Sequence, residues 1–266
     1  GGRIDADTAA VPQSYEAAMR AAGAGPDAVQ RLDDGQATAA FLAVRPPGHH
    51  ALAGAAMGFC LFNNIAVTAA LLADRGEKVV VVDWDAHHGN GTQEIFYDRA
   101  EVLYVSLHQW PFYPGTGSPV ETGTGPGLGT TLNIPLPAGT GGDVYRAAFD
   151  TLVEPVVERF EPSWVLISAG FDAHRDDPLC DLRLTAGDYA DLTSRSLRLA
   201  PTARRIAFLE GGYDLAALRS STGACVAALA GTDLKPEPPS GAGPGGDQAM
   251  AWLAACRQVH LSGRLG

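Results

Sequence analysis

Two aspartates and two histidines follow a run of four valines near the middle of the chain. The segment reads Val79-Val80-Val81-Val82-Asp83-Trp84-Asp85-Ala86-His87-His88. Asp83, Asp85 and His87 are spaced by two, so an extended backbone would point all three side chains the same way. A single aspartate at a strand end is usually a helix cap, but a buried cluster of unpaired charges is unfavourable. We therefore expect a cation to join this cluster.

The donor atoms of this cluster are oxygen and nitrogen, without a cysteine. Structural zinc sites favour closed, cysteine-rich shells, whereas catalytic sites keep open positions for water and substrate. A metal held in this way can lower the pKa of bound water and polarise a carbonyl group. The cluster therefore predicts metal-dependent hydrolysis rather than a purely structural ion.

The same pattern, a buried strand followed by polar residues, recurs three times. The strand Phe41–Val44 leads to His49 and His50, Trp164–Ala169 leads to Asp172, and Arg205–Leu209 leads to Tyr213. In parallel sheets, ligands bind beyond the carboxyl ends of the strands. A histidine pair can move protons, and a tyrosine hydroxyl can donate to a developing oxyanion. Together these groups indicate an amide hydrolase that works without a covalent intermediate.

The composition limits the class of protein. The chain has 266 residues, 46% of them hydrophobic, a net charge of -11 and four scattered cysteines. This size and hydrophobic content suit one α/β domain with a mainly parallel sheet flanked by helices. The negative charge argues against nucleic acid as a partner and would suit a cationic one. We expect a cytoplasmic protein without disulfides or a membrane span, and leave oligomerisation open.

The order of predicted elements divides the chain into three parts. We expect a domain over residues 1–231, a Pro/Gly linker over residues 232–246 and a C-terminal helix within residues 247–266 that packs on the domain. Within the domain, a turn-like start precedes a helix from Ser14 to Ala22, with Ser14 as its N-cap. A further helix is expected over residues 143–160, with a kink at Pro155.

Five motifs, in order, resemble the signatures of the zinc-dependent histone deacetylase family. They are Arg45-Pro46-Pro47-Gly48-His49-His50, Gly58-Phe59-Cys60, Asp83-Trp84-Asp85-Ala86-His87-His88-Gly89-Asn90-Gly91-Thr92, Ser168-Ala169-Gly170-Phe171-Asp172 and Glu210-Gly211-Gly212-Tyr213. The pattern is most similar to class II members and their bacterial relatives, because Asn90 stands where class I members have an acidic residue. The resemblance implies an arginase/deacetylase-type fold, with the N-terminal part of the domain missing from this chain.

The resemblance also implies roles for individual residues. The zinc ligands would be Asp85, His87 and Asp172, with Fe²⁺ as the alternative metal. His49 and His50 would be the active-site histidines, partnered by Asp83 and Asn90 respectively, and Tyr213 would polarise the acyl carbonyl. His88 would have a packing role. A structural K⁺ would be held at Asp83, Asp85, His87, Ser106 and Leu107.

The substrate pocket follows from the same resemblance. Gly58 and Phe59 would form one wall, with Gly211 and Gly212 beside Tyr213, and the opposite wall is expected near Trp110–Tyr113. The leading function is hydrolysis of acetyl-lysine, or a similar N-acyl amine, by metal-activated water to give acetate and a free amine. Acetylpolyamine amidohydrolases place an acidic residue at the position of Leu179. The apolar leucine in this chain therefore favours a peptide lysine as substrate, although Asp181 lies nearby. A metal-binding but inactive fragment is the third alternative.

Overall fold

A six-stranded parallel sheet forms the centre of the molecule in the computed structural model, which describes residues 1–261. Its strand order is β3-β8-β7-β4-β5-β6, and every neighbouring pair is parallel. The strands are β3 (Ala40–Leu42), β4 (Val79–Asp83), β5 (Val102–Gln109), β6 (Thr131–Leu136), β7 (Trp164–Ala169) and β8 (Arg205–Leu209). Because all six run the same way, their carboxyl ends share one edge. The α/β fold expected from the sequence is therefore confirmed.

The four valines of β4 occupy the middle of this sheet and are fully buried on both faces. Val80 and Val82 face one apolar layer, and Val79 and Val81 face the other. This alternation follows from the period of two in an extended strand. Helices cover both layers, which explains why the strand is a continuous apolar run instead of an alternating one.

The helices cover the two faces of the sheet. They are α1 (Ser14–Asp33), α2 (Asn64–Asp74), α3 (Asn90–Phe96), α4 (Gly142–Ala148), α5 (Glu154–Phe160), α6 (Ala186–Ser196), α7 (Leu215–Leu229) and α8 (Gly246–Leu261). Within residues 1–261, none of them combines the length and the hydrophobicity needed to cross a bilayer.

Helix α1 differs from the prediction at both ends. It continues eleven residues past Ala22 and passes close to α2 at Gly25, where a Cβ would lie 1.8 Å from the hydroxyl oxygen of Thr68. Ser14 is the first helical residue rather than the cap, and its hydroxyl accepts the Val11 N–H at 3.0 Å. The chain before it forms a short antiparallel pair, β1 (Gly2–Arg3) with β2 (Ala9–Ala10).

The predicted helix over residues 143–160 is interrupted. A π-helical turn, Phe149–Val153, separates α4 from α5 and ends two residues before Pro155. Proline has no N–H to donate to the preceding turn, and the wider π turn accommodates this loss. The sequence therefore located the irregularity to within a few residues.

The segment of residues 232–246 is held against the domain by several hydrogen bonds, and we call it the C-terminal strap. The Ser240 hydroxyl donates to Asp188 at 2.6 Å and accepts the Gly142 N–H at 2.8 Å. Glu237 accepts the Ala186 N–H at 2.9 Å and contacts the buried His174 at 2.8 Å. The strap leads into α8, which packs on β6 and α4. Residues 262–266 of the predicted C-terminal helix lie outside the described residues.

Candidate active site

The polar residues singled out in the sequence meet at the carboxyl edge of the sheet. Asp83 ends β4, and Asp85 and His87 follow in the turn before α3. Asp172 follows the neighbouring strand β7, and Tyr213 follows β8. The turn after β3 brings His49 and His50 to the same place. This convergence results from the shared direction of the strands, as predicted.

Asp85, His87 and Asp172 offer one ligand atom each, and these atoms all lie within 4.8 Å of one another. The Nδ1 atom of His87 lies 3.1 Å from Asp85 Oδ1 and 3.0 Å from Asp172 Oδ2. Burial and the charge of Asp85 raise the pKa of Asp172 to about 6. Two buried carboxylates this close repel each other, and a divalent cation would relieve that repulsion. The donor set therefore fits a metal such as Zn²⁺.

Backbone groups fix the two carboxylates in place. Asp172 Oδ1 accepts the Ala86 N–H at 2.8 Å, and Asp85 Oδ2 accepts the Gly211 N–H at 2.8 Å. A carboxylate oxygen has more than one lone pair, so these bonds leave acceptor capacity for a cation. Each carboxylate is thus oriented before any ligand binds.

At two positions of the motifs, only glycine fits beside the carboxylates. A Cβ on Gly170 would lie 2.1 Å from Asp85 Oδ2, and one on Gly211 would lie 2.4 Å from Asp172 Oδ2. The backbone must pass this close for β7 and β8 to surround the carboxylates. Larger residues at these positions would displace the ligand atoms themselves.

The two histidines have different partners. His49 Nδ1 lies 3.0 Å from Asp83 Oδ2, and His50 Nδ1 lies 2.8 Å from Asn90 Oδ1. Burial opposes charge on His49, but the carboxylates of Asp85 and Asp83 raise its pKa well above the ordinary value. Burial and repulsion from His49 lower the pKa of His50 well below the ordinary value. The site thus holds one imidazole that favours its charged form and one that favours its neutral form.

Asp83 is itself held by several neighbours. Its Oδ2 accepts the Tyr104 hydroxyl at 3.1 Å, and its Oδ1 accepts the Asp85 N–H at 3.1 Å. Burial raises the pKa of Asp83, while the charge of His49 opposes this shift. Asp83 pairs in register with Ser106 of β5, and both are fully buried. The K⁺ site at five residues stays a prediction, although two of those residues, Asp83 and Ser106, lie side by side.

A pocket of about 170 Å³ opens onto the metal-ligand set. Its walls include Phe59, Tyr113 and Leu179, which are 40%, 39% and 43% exposed and form the rim. The Phe59 ring meets the Tyr213 ring edge to face at 6.1 Å. Tyr113 packs edge to face against His50 at 5.2 Å, within the segment where the second wall was expected.

Of the two glycines predicted beside Tyr213, only Gly211 lines the pocket. Gly212 instead packs against Phe171 and Leu218, with a φ of +135° that favours glycine. Gly58, predicted in the first wall, does line the pocket. A Cβ there would meet the His50 ring at 2.4 Å.

His88 points away from the pocket. Its Nδ1 lies 2.8 Å from the Thr116 hydroxyl, and its Nε2 lies 3.0 Å from Gln93 Oε1. These contacts fix the loop that follows β5 against α3. His88 therefore connects two elements around the site without reaching the substrate space, in line with the packing role expected for it.

Several residues of the site were not identified from the sequence. Asp7 and Pro47 line the pocket. Glu210 accepts the N–H groups of Gly48 and His49, at 2.7 and 3.1 Å, and so fixes the histidine turn. Glu210 stands in a recognised motif, which was a usable signal. Asp7 lies in a polar turn that gave none.

The sequence pattern described as "Histone deacetylase domain" matches residues 2–229 of the chain. The protein belongs to the histone deacetylase family. Asp85, His87 and Asp172 are the group in this domain that could hold a metal ion.

Relatives of this chain come from distant organisms. A "Probable deacetylase" of Archaeoglobus fulgidus is 46% identical over 239 residues, which cover 88% of this chain and 67% of the relative. "Histone deacetylase 10, chloroplastic" of Oryza sativa is 42% identical, covering 83% of this chain and 49% of the relative. "Histone deacetylase 9" of Homo sapiens is 44% identical, covering 84% and 23% respectively.

A solved structure has the same fold. The crystal structure of the HDA15 HD domain superposes with a TM-score of 0.90 at 38% identity, covering 98% of this chain and 73% of that one. The chain thus spans from 23% to 67% of the length of the curated relatives above.

Proposed function

We propose that this protein is a zinc-dependent deacylase that hydrolyses the acetyl amide of lysine side chains in peptides. The observation that carries the proposal is the shared pocket of about 170 Å³, lined by Asp85, His87, His50 and Tyr213. A metal-binding set, a neutral base and a phenol donor thus face one substrate-sized space. The products would be acetate and a free amine.

Asp85, His87 and Asp172 would hold the metal, Zn²⁺ or alternatively Fe²⁺. A divalent ion there supplies Lewis-acid polarisation of the acyl carbonyl and a lower pKa for attacking water. The absence of cysteine from the set favours an open coordination shell. A structural K⁺ at the five positions named above is part of the same proposal.

His50 would take the proton from the attacking water and deliver it to the leaving amine. Its pKa lies well below the ordinary value because of burial and the nearby His49, so the ring is neutral near pH 7, as a general base must be. His49, paired with Asp83, would remain charged and stabilise negative charge in the transition state.

Tyr213 would donate a hydrogen bond to the oxygen of the acyl carbonyl. Burial and the charge of Asp172 raise the pKa of its phenol far above the ordinary value. The hydroxyl therefore stays protonated at physiological pH and remains a donor. Its ring lies against Phe59, so the donor is presented from the pocket wall.

The pocket wall supports a lysine chain over a polyamine. Phe59 and Tyr113 offer aromatic surface to the four methylene groups that lysine and putrescine share, whereas the apolar Leu179 on the rim offers no partner for the second, charged amine of a polyamine. The carboxylate of Asp181 pairs with Gln109 and is not part of the pocket lining. Acetylpolyamine hydrolysis remains the second candidate, because Asp7 places one carboxylate in the lining where it could attract a cationic amine.

The test is release of free amine from an acetyl-lysine peptide and from acetylputrescine, with and without a chelator. We expect faster release from the peptide and loss of both activities with the chelator. Activity that survives complete metal removal would overturn the proposal. No release from either substrate by metal-loaded protein would favour the inactive, metal-binding alternative.

A cytoplasmic location stays a prediction, consistent with the four free cysteines.

A further inference from the structure

The backbone of Tyr213 is held by a carboxylate from a different loop. Asp177 Oδ2 accepts the Tyr213 N–H at 2.6 Å and the Asp214 N–H at 3.2 Å. Asp177 is 5% exposed and belongs to the loop that follows the metal-ligand position Asp172. These two hydrogen bonds join the loop after β7 to the turn after β8.

The loop that carries Asp177 is itself fixed. The Asp177 N–H donates to the His174 carbonyl at 2.9 Å, and His174 is held by Glu237 of the C-terminal strap at 2.8 Å. The strap thus supports the loop from outside while Asp177 reaches inward. Because its own loop is fixed, the Asp177 carboxylate can hold other backbone groups in place.

The turn that carries Tyr213 needs this support. Two glycines precede the tyrosine, and Gly212 has a φ of +135°, where only glycine is comfortable. Gly211 is tied to Asp85 through its N–H, but no such bond is described for Gly212. The first firm attachment after the glycines is therefore the Tyr213 N–H on Asp177.

The other oxygen of Asp177 acts on the pocket rim. Asp177 Oδ1 accepts the Leu179 N–H at 3.0 Å, and Leu179 lines the pocket. The Asp177 carboxylate therefore fixes the backbone position of both Tyr213, the proposed oxyanion donor, and Leu179, a residue of the pocket wall. An error of about 1 Å in such a position can reduce turnover by about 100-fold.

We propose that Asp177 is a positioning residue that aligns the Tyr213 phenol with the substrate carbonyl, an inference that rests on the proposed function. Asp177 does not touch the substrate: it is absent from the pocket lining, and its carboxylate is used by three backbone N–H groups. Its main effect on turnover passes through Tyr213, and its bond to Leu179 holds the adjoining part of the rim.

The main test compares Asp177→Asn with Asp176→Asn. The first variant replaces one of the two acceptor oxygens with an NH₂ group, which cannot accept an N–H, so Leu179 on one side and Tyr213 with Asp214 on the other can no longer all be satisfied. The second is a matched control, because Asp176 is the exposed neighbour, with ion-pair contacts only at 3.7 and 3.9 Å. Asp177→Asn should lower kcat at least 10-fold with KM within about 3-fold of wild type and with full metal content. Asp176→Asn should leave both constants unchanged.

A double-mutant cycle separates positioning from general damage. In a Tyr213→Phe background, Asp177→Asn should reduce kcat by less than about 2-fold, because the group it positions is already gone. An equal loss of kcat in both backgrounds would show that Asp177 acts independently of Tyr213 and would overturn the proposal. If Asp177→Asn does not fold, Asp177→Glu replaces it, since this change keeps both acceptors but shifts them. Wild-type kcat in the folded variant also overturns the proposal.

A second measurement does not depend on turnover. Asp177→Ala, which removes both acceptor oxygens, should speed hydrogen exchange at the Tyr213 and Asp214 amides at least 10-fold, and Asp176→Ala should not. Unchanged exchange at both amides would contradict the proposal. If wild type hydrolyses no acyl-lysine peptide, the proposed function fails, while the exchange rates still decide whether Asp177 holds the turn.

Discussion

The ring of His49 lies 4.1 Å from the ring of His50, centroid to centroid, yet the two imidazoles have different partners. His49 contacts the carboxylate of Asp83, and His50 contacts the amide of Asn90. A carboxylate stabilises an imidazolium, whereas an amide orients the ring without adding charge. Adjacent residues in the chain are thus prepared for different tasks.

The unequal roles can be tested by removing each ring. His50→Ala should lose more activity than His49→Ala, because only His50 is neutral enough to accept a proton. Losing a general base typically lowers kcat by about 10²–10⁴-fold. The measurement is kcat with an acetyl-lysine peptide at pH 8, with metal content checked in both variants. A larger loss in His49→Ala would exchange the two roles.

The partner of His50 should control the pH profile. Activity requires neutral His50, so it falls as the pH drops through the pKa of that ring. Asn90→Asp would stabilise the imidazolium and raise this pKa, so the acidic limb of the pH–rate profile should move to higher pH. The profile of kcat/KM between pH 5 and 9 measures it. An acidic limb that stays in place, while His49→Ala moves it, would assign the base to His49.

Asp172→Ala should abolish metal binding. The two ligands that remain, Asp85 and His87, rarely hold zinc alone. Metal analysis of the purified variant should find less than about a tenth of the wild-type content. Asp176→Ala, a change of the same type in the same loop, is the control and should keep full content. Full occupancy in Asp172→Ala would remove Asp172 from the ligand set.

Tyr213→Phe should bind substrate but turn it over slowly. The substitution keeps the ring against Phe59 and removes only the hydroxyl donor. Loss of one oxyanion donor typically costs about 10²–10³-fold in kcat. Single-turnover kinetics and substrate affinity should be measured beside Tyr15→Phe, whose side chain is 67% exposed on α1. Normal turnover would reduce Tyr213 to a wall residue.

Leu179→Glu should shift the preference toward acetylated polyamines. A carboxylate on the pocket rim would attract the second, protonated amine of such a substrate, so kcat/KM for acetylputrescine relative to the peptide should rise about 10-fold. Leu179→Gln has the same shape without the charge and should shift the ratio much less. An equal shift in both variants would attribute the effect to shape instead of charge.

His260 should make stability depend on pH. Burial and the nearby Arg159 lower its folded-state pKa to about 4, so the folded protein favours the neutral ring. The unfolded chain binds a proton below pH 6.5, and stability is therefore lost as the pH falls from 6.5 toward 4. From pH 7.5 to 5, His260→Gln should lose less unfolding free energy than wild type, by on the order of 2 kcal/mol. Denaturation curves of both proteins at pH 7.5 and pH 5 measure this difference. An equal loss of unfolding free energy in wild type and His260→Gln would exclude the effect.

The sequence predicted which residues meet at the edge of the sheet wherever a motif follows a strand. Asp85, Asp172 and Tyr213 needed only the rule that parallel strands share one carboxyl edge. The grip of Asp177 on Tyr213 could not be predicted in this way, because it depends on how two irregular loops pack. Helix α7 was also missed. It is rich in alanine and has no strong apolar stripe, and its start is fixed by Asp214, which accepts the Ala217 N–H at 2.8 Å.

The C-terminal strap holds the N-terminal ends of two helices that are distant in the sequence, α4 and α6. The first N–H groups of α4 and α6 are satisfied by Ser240 and Glu237, and a helix start that loses its partner frays. Opening the strap would release both starts at once, although some forty residues separate Gly142 from Ala186. We therefore expect the strap and the first turns of α4 and α6 to open together in local unfolding, so that a segment predicted as a linker contributes to the stability of two helices.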